Sequence, residues 1–379
     1  MKQKKVLIAI PCLQLGGTEY QTLNLVRALI ETNYKVDVLC YFEYDDHMVK
    51  YMQLAGAEVF LMSHNGHRPT TLKEKVFFLY KGFKQNLIIS KPDVVHVQYM
   101  NPGSIAIILF KILGVQKILA TAHVPGHIYK NKFIPQFLTK YILEAFLCVS
   151  QASEKAFFDT DAKIFTPESL QNGRKHFTIY NCIDIDNTKI IAKQDNSFTL
   201  GVVSRLSPEK GIDVMLHAMT HLVKHFENIR LLIVGDGKSR DTLHELAKDL
   251  NIKNNIEWVG LQPKENLKSF YQQMDIVVIP SRFEGFGLTA IEAMNYNIPV
   301  IASNVDGLTE VIEDNISGVL FPCEDSNELE KAIINLLNSS NKRHQLAQNA
   351  HKRVIQYFSY NSYKEKISQL YSEVLKERA

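Results

Sequence analysis

Glu284 and Glu292 flank a short glycine-bearing stretch, Gly285-Phe286-Gly287-Leu288-Thr289. A carboxylate accepts two hydrogen bonds and so matches a vicinal diol, as a sugar or a ribose presents. Gly285 and Gly287 lack a Cβ, which lets the backbone turn sharply and come close to a bound group. Leu288 to Asn295 reads as a helix, so the amides of Gly287, Leu288 and Thr289 stand as unpaired donors at its N-terminus, where an anion such as phosphate is favoured. One phosphate position flanked by two diol-binding carboxylates describes a nucleotide sugar. The plainer alternative keeps Glu284 as a surface-loop residue and Glu292 as a helix-face charge.

Other residues of the same chemistry lie at strand exits. Arg205 and Lys210 follow the apolar run Phe198–Val203; arginine offers a bidentate fork to phosphate oxygens and lysine a point charge. Gly16 and Gly17 come between a first strand and a first helix, a phosphate-approach signal weaker than a full G-x-G-x-x-G. His123 follows the run Ile118–Ala122, in a loop that Pro125 and Gly126 shape, although a lone histidine is most often structural. His127 spaces it as H-x-x-x-H, which in a Pro-Gly loop is no metal motif. Val259, in Trp258-Val259-Gly260-Leu261, ends a strand whose backbone can border a base. Gly235-Asp236-Gly237 lacks the third glycine of a dinucleotide fingerprint and reads as a tight turn. Asp184-x-Asp186 has the form of a metal–diphosphate pair, but such a triplet arises often by chance.

The elements that position these residues alternate regularly. Val6–Ile10, Lys35–Tyr41, Glu58–Met62, Val94–Val97, Lys117–Thr121, Phe146–Val149 and Thr178–Tyr180 read as strands with helical segments between them, the first helix running from Tyr20 to Thr32. A second array follows: Phe198–Val203, Leu231–Val234, Ile256–Val259, Asp275–Ile279, a strand opening at Ile298, and Val319–Phe321. This is the spacing of two doubly wound α/β sheets. We expect a first domain over 1–190, a second over 191–356, and a terminal helix over 357–379 that packs back towards the first. Asn181–Ser197 reads as a polar linker, and Phe157–Arg174 is left unassigned.

At 379 residues the chain suits two domains. Its apolar share of 46% and charged share of 22% are those of a globular protein. The net charge of +3 is uneven: residues 1–180 hold 21 basic and 14 acidic residues, net +7, leaving 22 and 26, net −4. A basic first half suits an anionic membrane surface or another polyanion. The lysine-bearing amphipathic segments Thr71–Ser90 and Phe133–Phe146 agree with a membrane surface, or else cover a sheet with a lysine-rich outer face. Five scattered cysteines, Cys12, Cys40, Cys148, Cys182 and Cys323, form no disulfide framework or zinc motif. Val6–Ile10 is too short for a signal peptide and no run is long enough to span a bilayer. A cytoplasmic protein, peripheral to the membrane at most, is expected.

Taken in order, Gly16-Gly17, His123, Arg205 with Lys210, Glu284-x7-Glu292 and Gly307 to Glu310 resemble the GT4 family of retaining glycosyltransferases. The resemblance runs along essentially the whole chain and is strongest over Phe198–Pro322. It implies the α/β GT-B fold, two Rossmann-like doubly wound parallel-sheet domains facing across a cleft. It further implies that Arg205 and Lys210 hold the donor diphosphate and that Glu292 takes the ribose hydroxyls. Glu284, with the backbone of Gly285, Phe286, Gly287 and Leu288, takes the transferred sugar. Gly17 approaches the diphosphate and His123 the reacting carbon. The donor is then a UDP- or GDP-linked sugar and the acceptor a glycan or lipid-linked molecule of bacterial surface polysaccharide synthesis. No metal and no further cofactor are required, a peripheral contact with the inner membrane face is expected, and nucleic acid is not a partner. The chain departs from the family where Asn181-Cys182-Ile183-Asp184 replaces the common Asn-Gly-Val-Asp. A sugar-nucleotide epimerase on the same fold is the alternative, which donor alone would expose. A non-catalytic nucleotide-binding protein would be expected to have lost some of these charges, and an NAD dehydrogenase lacks its glycine fingerprint here.

Overall fold

The computed structural model describes residues 3–63, 68–123, 132–158, 161–186 and 197–376. Pro125, Gly126 and His127 lie outside them, as does the end of the segment expected to be a linker. Two compact units emerge. One comprises the residues up to Cys182 together with those from Tyr360 onwards, and the other comprises Ile183–Ser359.

The first unit runs β1 (Lys5–Ile10), α1 (Gly17–Glu31), β2 (Lys35–Cys40), α2 (Asp46–Leu54), β3 (Glu58–Leu61), α3 (Leu72–Ser90) and β4 (Val94–Gln98). It continues with α4 (Met100–Ile112), β5 (Ile118–Ala122), α5 (Phe133–Tyr141), β6 (Ala145–Cys148), α6 (Gln151–Phe158), α7 (Pro167–Gln171) and β7 (His176–Thr178). Its seven strands are all parallel, in the order β3-β2-β1-β4-β5-β6-β7. Helices cover both faces, so the central strands are buried on both sides and read as unbroken apolar runs such as Val-Leu-Ile-Ala-Ile. One face packs Val6, Ile8 and Val38 against Leu25 and Leu29 of α1; the other packs Leu7, Val95 and Ala120 against Phe83 and Phe110.

The second unit runs β8 (Phe198–Val203), α8 (Ile212–His225), β9 (Ile229–Val234), α9 (Arg240–Asp249), β10 (Ile256–Gly260) and α10 (Lys264–Tyr271). There follow β11 (Ile276–Ile279), α11 (Leu288–Asn295), β12 (Val300–Ser303), α12 (Asp306–Val311), β13 (Val319–Phe321), α13 (Ser326–Leu337) and α14 (Ser340–Arg353). Its six strands are again parallel, ordered β10-β9-β8-β11-β12-β13. In both sheets the order reverses about one pair: β1 and β4 in the first, β8 and β11 in the second. A crevice opens beyond the carboxyl ends of such a pair, and ligands bind there in open α/β sheets. The loops after β8 and β11 carry Arg205, Lys210 and Glu284; the residues after β1 and β4 carry Gly16, Gly17 and Tyr99.

Several expectations need correction. The helix α1 starts at Gly17 rather than Tyr20, because Gly16 is extended and Gly17, Thr18 and Glu19 form its first turn. Phe157–Arg174 is not wholly irregular: α6 ends in it, and Thr166 caps α7 through the Ser169 amide. Asn181 and Cys182 are buried rather than part of a free linker, since Gln21 donates to the Cys182 carbonyl (2.8 Å) and accepts from its amide (3.0 Å). The division falls at Cys182–Ile183 and not at 190, because the Ile183 amide bonds to Phe358 O at 3.0 Å. Likewise it falls at Ser359–Tyr360 and not at 356: a π-helical turn, Val354–Phe358, precedes α15 (Tyr360–Leu375). The helix α15 packs on α1 and places Ile367, Leu370 and Tyr371 in the core of the first unit. No described helix is long and apolar enough to cross a membrane.

Candidate active site

In the second unit, a glycine at positive φ (Gly287, φ 107°) turns the chain from the loop after β11 into α11. Among the described residues the amides of Leu288 and Thr289 have no hydrogen-bond partner, as the first turn of a helix leaves them. The Thr289 hydroxyl donates to Val203 O at 3.2 Å and so fixes this helix end to the exit of β8. Glu284 and Lys210 meet here: Lys210 Nζ lies 2.7 Å from Glu284 Oε2, with the side chains 17% and 20% exposed. Arg205 is exposed and has no ion-pair partner among the described residues. The site therefore offers one free guanidinium, one ammonium paired with a carboxylate, and a helix N-terminus, all at the switch between β8 and β11.

Arg282, which the sequence did not single out, holds these two loops together. Its guanidinium donates to both carboxylate oxygens of Asp213 (3.0 and 2.7 Å), to Glu324 Oε1 (2.7 Å) and to Pro208 O (2.6 Å). Its amide adds a bond to Glu209 O at 2.9 Å. Burial acts to raise the Asp213 pKa, and the Arg282 hydrogen bonds outweigh it and hold the carboxyl below its ordinary value. From the other side, Gly307 donates its amide to Glu284 O at 3.2 Å. A Cβ there would stand 2.5 Å from Glu284 O and 2.7 Å from Phe286 N, so only glycine lets α12 close on the loop. The Phe286 side chain is buried and meets Phe358 edge-on, with ring centroids 5.6 Å apart.

Glu292 sits deeper. The Tyr271 hydroxyl donates to its Oε2 at 2.9 Å, and both residues line a cavity of about 320 Å³ with Lys264, Leu267, Tyr296 and Asp186. Enclosure raises the Glu292 pKa above the ordinary carboxylate value, against the opposing pull of Lys264 and the tyrosine hydroxyl. Asp184 and Asp186 belong to this cavity as well, yet Lys268 pairs with Asp186 at 2.6 Å and Asn295 donates to Asp184 O at 3.2 Å. The Asp-x-Asp is thus tied into the wall. Among the described residues no group of three or more His, Cys, Asp or Glu side chains gathers as a metal would require. Val259 lies apart, on the edge strand β10 with β9 between it and β8.

In the first unit, Gly16 caps α1 and Glu19 folds back over it: its Oε2 lies 2.6 Å from where a Gly16 Cβ would stand. The carboxylate also accepts from Tyr99 Oη at 3.3 Å and Cys12 Sγ at 3.7 Å. The helix N-terminus at Gly16–Gly17 thus has an internal anion over it already. His123, at the exit of β5, places Nε2 2.8 Å from Gln98 Oε1, while the Tyr99 ring lies 5.4 Å away. Burial pushes the His123 pKa down to about 3, so the imidazole is neutral at pH 7. Gln98 is a partner that spacing alone does not reveal, 25 residues away in sequence.

The model for glycosyl transferases group 1 matches residues 184–353, and that for glycosyltransferase family 4 matches 15–163. The chain is 26% identical over 376 residues to the Campylobacter jejuni enzyme GalNAc-alpha-(1->4)-GalNAc-alpha-(1->3)-diNAcBac-PP-undecaprenol alpha-1,4-N-acetyl-D-galactosaminyltransferase, covering 98% of this chain and 99% of that one. It is also 26% identical to an uncharacterized glycosyltransferase of Methanocaldococcus jannaschii, over 95% of each chain. The crystal structure of Anabaena HepE in complex with UDP and glucose superposes with a TM-score of 0.80 at 19% identity, covering 98% of this chain and 100% of that one. With both family models matched in order and two parallel-sheet Rossmann-like units in place, the chain belongs to the GT4 family of glycosyltransferases and has the GT-B fold.

Proposed function

We propose that this glycosyltransferase moves a sugar, with retention of anomeric configuration, from a nucleoside-diphosphate sugar to a hydroxyl of a glycan or lipid-linked acceptor. The observation that carries the reading is the pairing of Lys210 with Glu284 beside the open amides of α11. Breaking the bond from the sugar carbon to the phosphate oxygen builds negative charge on the departing diphosphate, while a bond forms to the acceptor oxygen. Arg205, Lys210 and the α11 N-terminus would meet that charge without reorganising. We assign no catalytic metal, because these groups supply the neutralisation. Glu284 would then bind the sugar hydroxyls, with the Gly285–Leu288 backbone beside it. Glu292 would take the ribose, and Val259 would lie nearer the base. In the first unit, His123 is assigned to the sugar and Gly16–Gly17 to an approach on the diphosphate, which would have to displace the Glu19 carboxylate from that helix end.

Two of the similar proteins support a lipid-linked acceptor and a UDP-linked donor: the Campylobacter enzyme is named for an undecaprenol-linked glycan, and HepE was crystallised with UDP and glucose. The capsular polysaccharide biosynthesis glycosyltransferase CapM of Staphylococcus aureus, 28% identical over 197 residues and about half of each chain, supports a surface-polysaccharide pathway. The test is a thermal-shift panel with UDP, GDP, ADP and CMP, with and without magnesium. A ligand that binds only the folded state raises its midpoint, so one diphosphate should do so without magnesium. No shift with any of them would refute the site. With that donor in hand, the anomeric configuration of the product, read by NMR, tests retention.

A further inference from the structure

The outward faces of three neighbouring helices in the first unit are at once apolar and basic. On α3, Lys73, Phe77, Tyr80, Lys84 and Ile88 recur at helical spacing and form one stripe, with Phe77 68% and Ile88 63% exposed. Leu79 and Phe83, on the opposite side, are buried in the core, so the stripe is a second apolar face that folding leaves uncovered. On α5, Phe133, Phe137 and Tyr141 form an exposed aromatic ladder with ring centroids 5.9 and 4.9 Å apart, and Lys140 Nζ lies 5.2 Å from the Tyr141 ring centre. The helix α4 packs against both α3 and α5 and adds Ile108, Ile112 and Lys111.

Charge decides what fits such a surface. The three helices carry six lysines and one acid, Glu74, and Glu74 is engaged with Thr71 in the cap of α3. Lysine is depleted from the centres of protein–protein interfaces, whereas aromatic rings ringed by lysines suit the headgroup zone of an anionic bilayer. There the rings enter the interface and the lysine stems reach up to lipid phosphates. We propose that the α3–α4–α5 face docks this chain on an anionic lipid bilayer. The inference deepens the lipid-linked reading of the acceptor and rests on it for its purpose, but docking itself needs neither donor nor acceptor.

The experiment is co-sedimentation of the full chain with phosphatidylcholine vesicles, with and without phosphatidylglycerol, at low and high salt. The wild type should sediment with the anionic vesicles at low salt and be released as salt rises. Phe137→Glu, and separately Lys73→Glu with Lys84→Glu, should each lower the bound fraction about tenfold or more. Phe133→Ser is the milder variant should Phe137→Glu fail to fold. Unchanged melting midpoints and unchanged nucleotide-induced shifts would separate loss of docking from loss of the donor site. Three outcomes would overturn the proposal: no sedimentation of the wild type with anionic vesicles at low salt, variants that bind as the wild type does, or a dimer dissolved by Phe137→Glu without vesicle binding.

Discussion

Lys210 and Glu284 neutralise each other across 2.7 Å at the mouth of the α11 helix. An incoming diphosphate must therefore compete with Glu284 for the ammonium, and a sugar hydroxyl must compete with Lys210 for the carboxylate. Glu284→Gln frees the lysine and should leave nucleoside-diphosphate affinity equal or several-fold tighter, while turnover falls by about a hundredfold. Lys210→Ala should weaken both by about tenfold or more. Isothermal titration with the diphosphate, beside initial rates, checks the pair; wild-type turnover in Glu284→Gln would remove the sugar role from Glu284.

Arg282 touches no proposed ligand, yet it joins the loops after β8 and β11 through Asp213, Glu324 and Pro208. Lysine cannot reproduce that fork. Arg282→Lys should cost about 1–2 kcal/mol of stability and lower kcat with little change in diphosphate affinity. Urea unfolding and steady-state kinetics would show this; an equal loss of affinity would mean that Arg282 binds the donor directly.

Gly307 leaves no room for a methyl group against the Glu284–Phe286 backbone. Gly307→Ala should destabilise the second unit by about 1–3 kcal/mol and impair turnover, because relief requires the Glu284 loop to move. A crystal structure of the variant with that loop unmoved, or a melting midpoint equal to the wild type, would contradict the packing described.

Two neutral histidines set an acid limit to stability. His96 is fully buried between Tyr371 Oη and Thr121 Oγ1, both at 2.7 Å, and burial pushes its pKa down to about 3, as it does for His123. The unfolded chain binds these protons near pH 6.5 and the folded chain does not, so stability is full above that value and falls as the pH drops towards 3. Each histidine should cost about 1.4 kcal/mol between pH 7.5 and 5.5. Urea midpoints at the two pH values test this, and His123→Asn should flatten the slope; an unchanged slope would mean that His123 takes up its proton in the fold as it does in the unfolded chain.

The sheets were legible because buried parallel strands are continuous apolar runs, and every expected strand has a counterpart within a few residues. The loops bearing Arg205, Lys210 and Glu284 were legible because glycine and proline mark strand exits. Arg282, Tyr271 and Gln98 were not, since each acts through a partner between 21 and 69 residues away that no periodicity links to it. The true start of α1 and the burial of Cys182 were missed for a related reason. Two glycines look like a loop until Glu19 folds over them, and a polar segment looks like a linker until Gln21 takes up its backbone.

The place of α15 has a consequence for how the chain is made. Tyr371, Ile367 and Leu370 belong to the same core as β1 and α1, but the ribosome delivers them only after all of Ile183–Ser359 has emerged. The first unit, begun first, is therefore completed last. Until then its nascent form exposes the flank of α1, a surface suited to chaperone capture during synthesis.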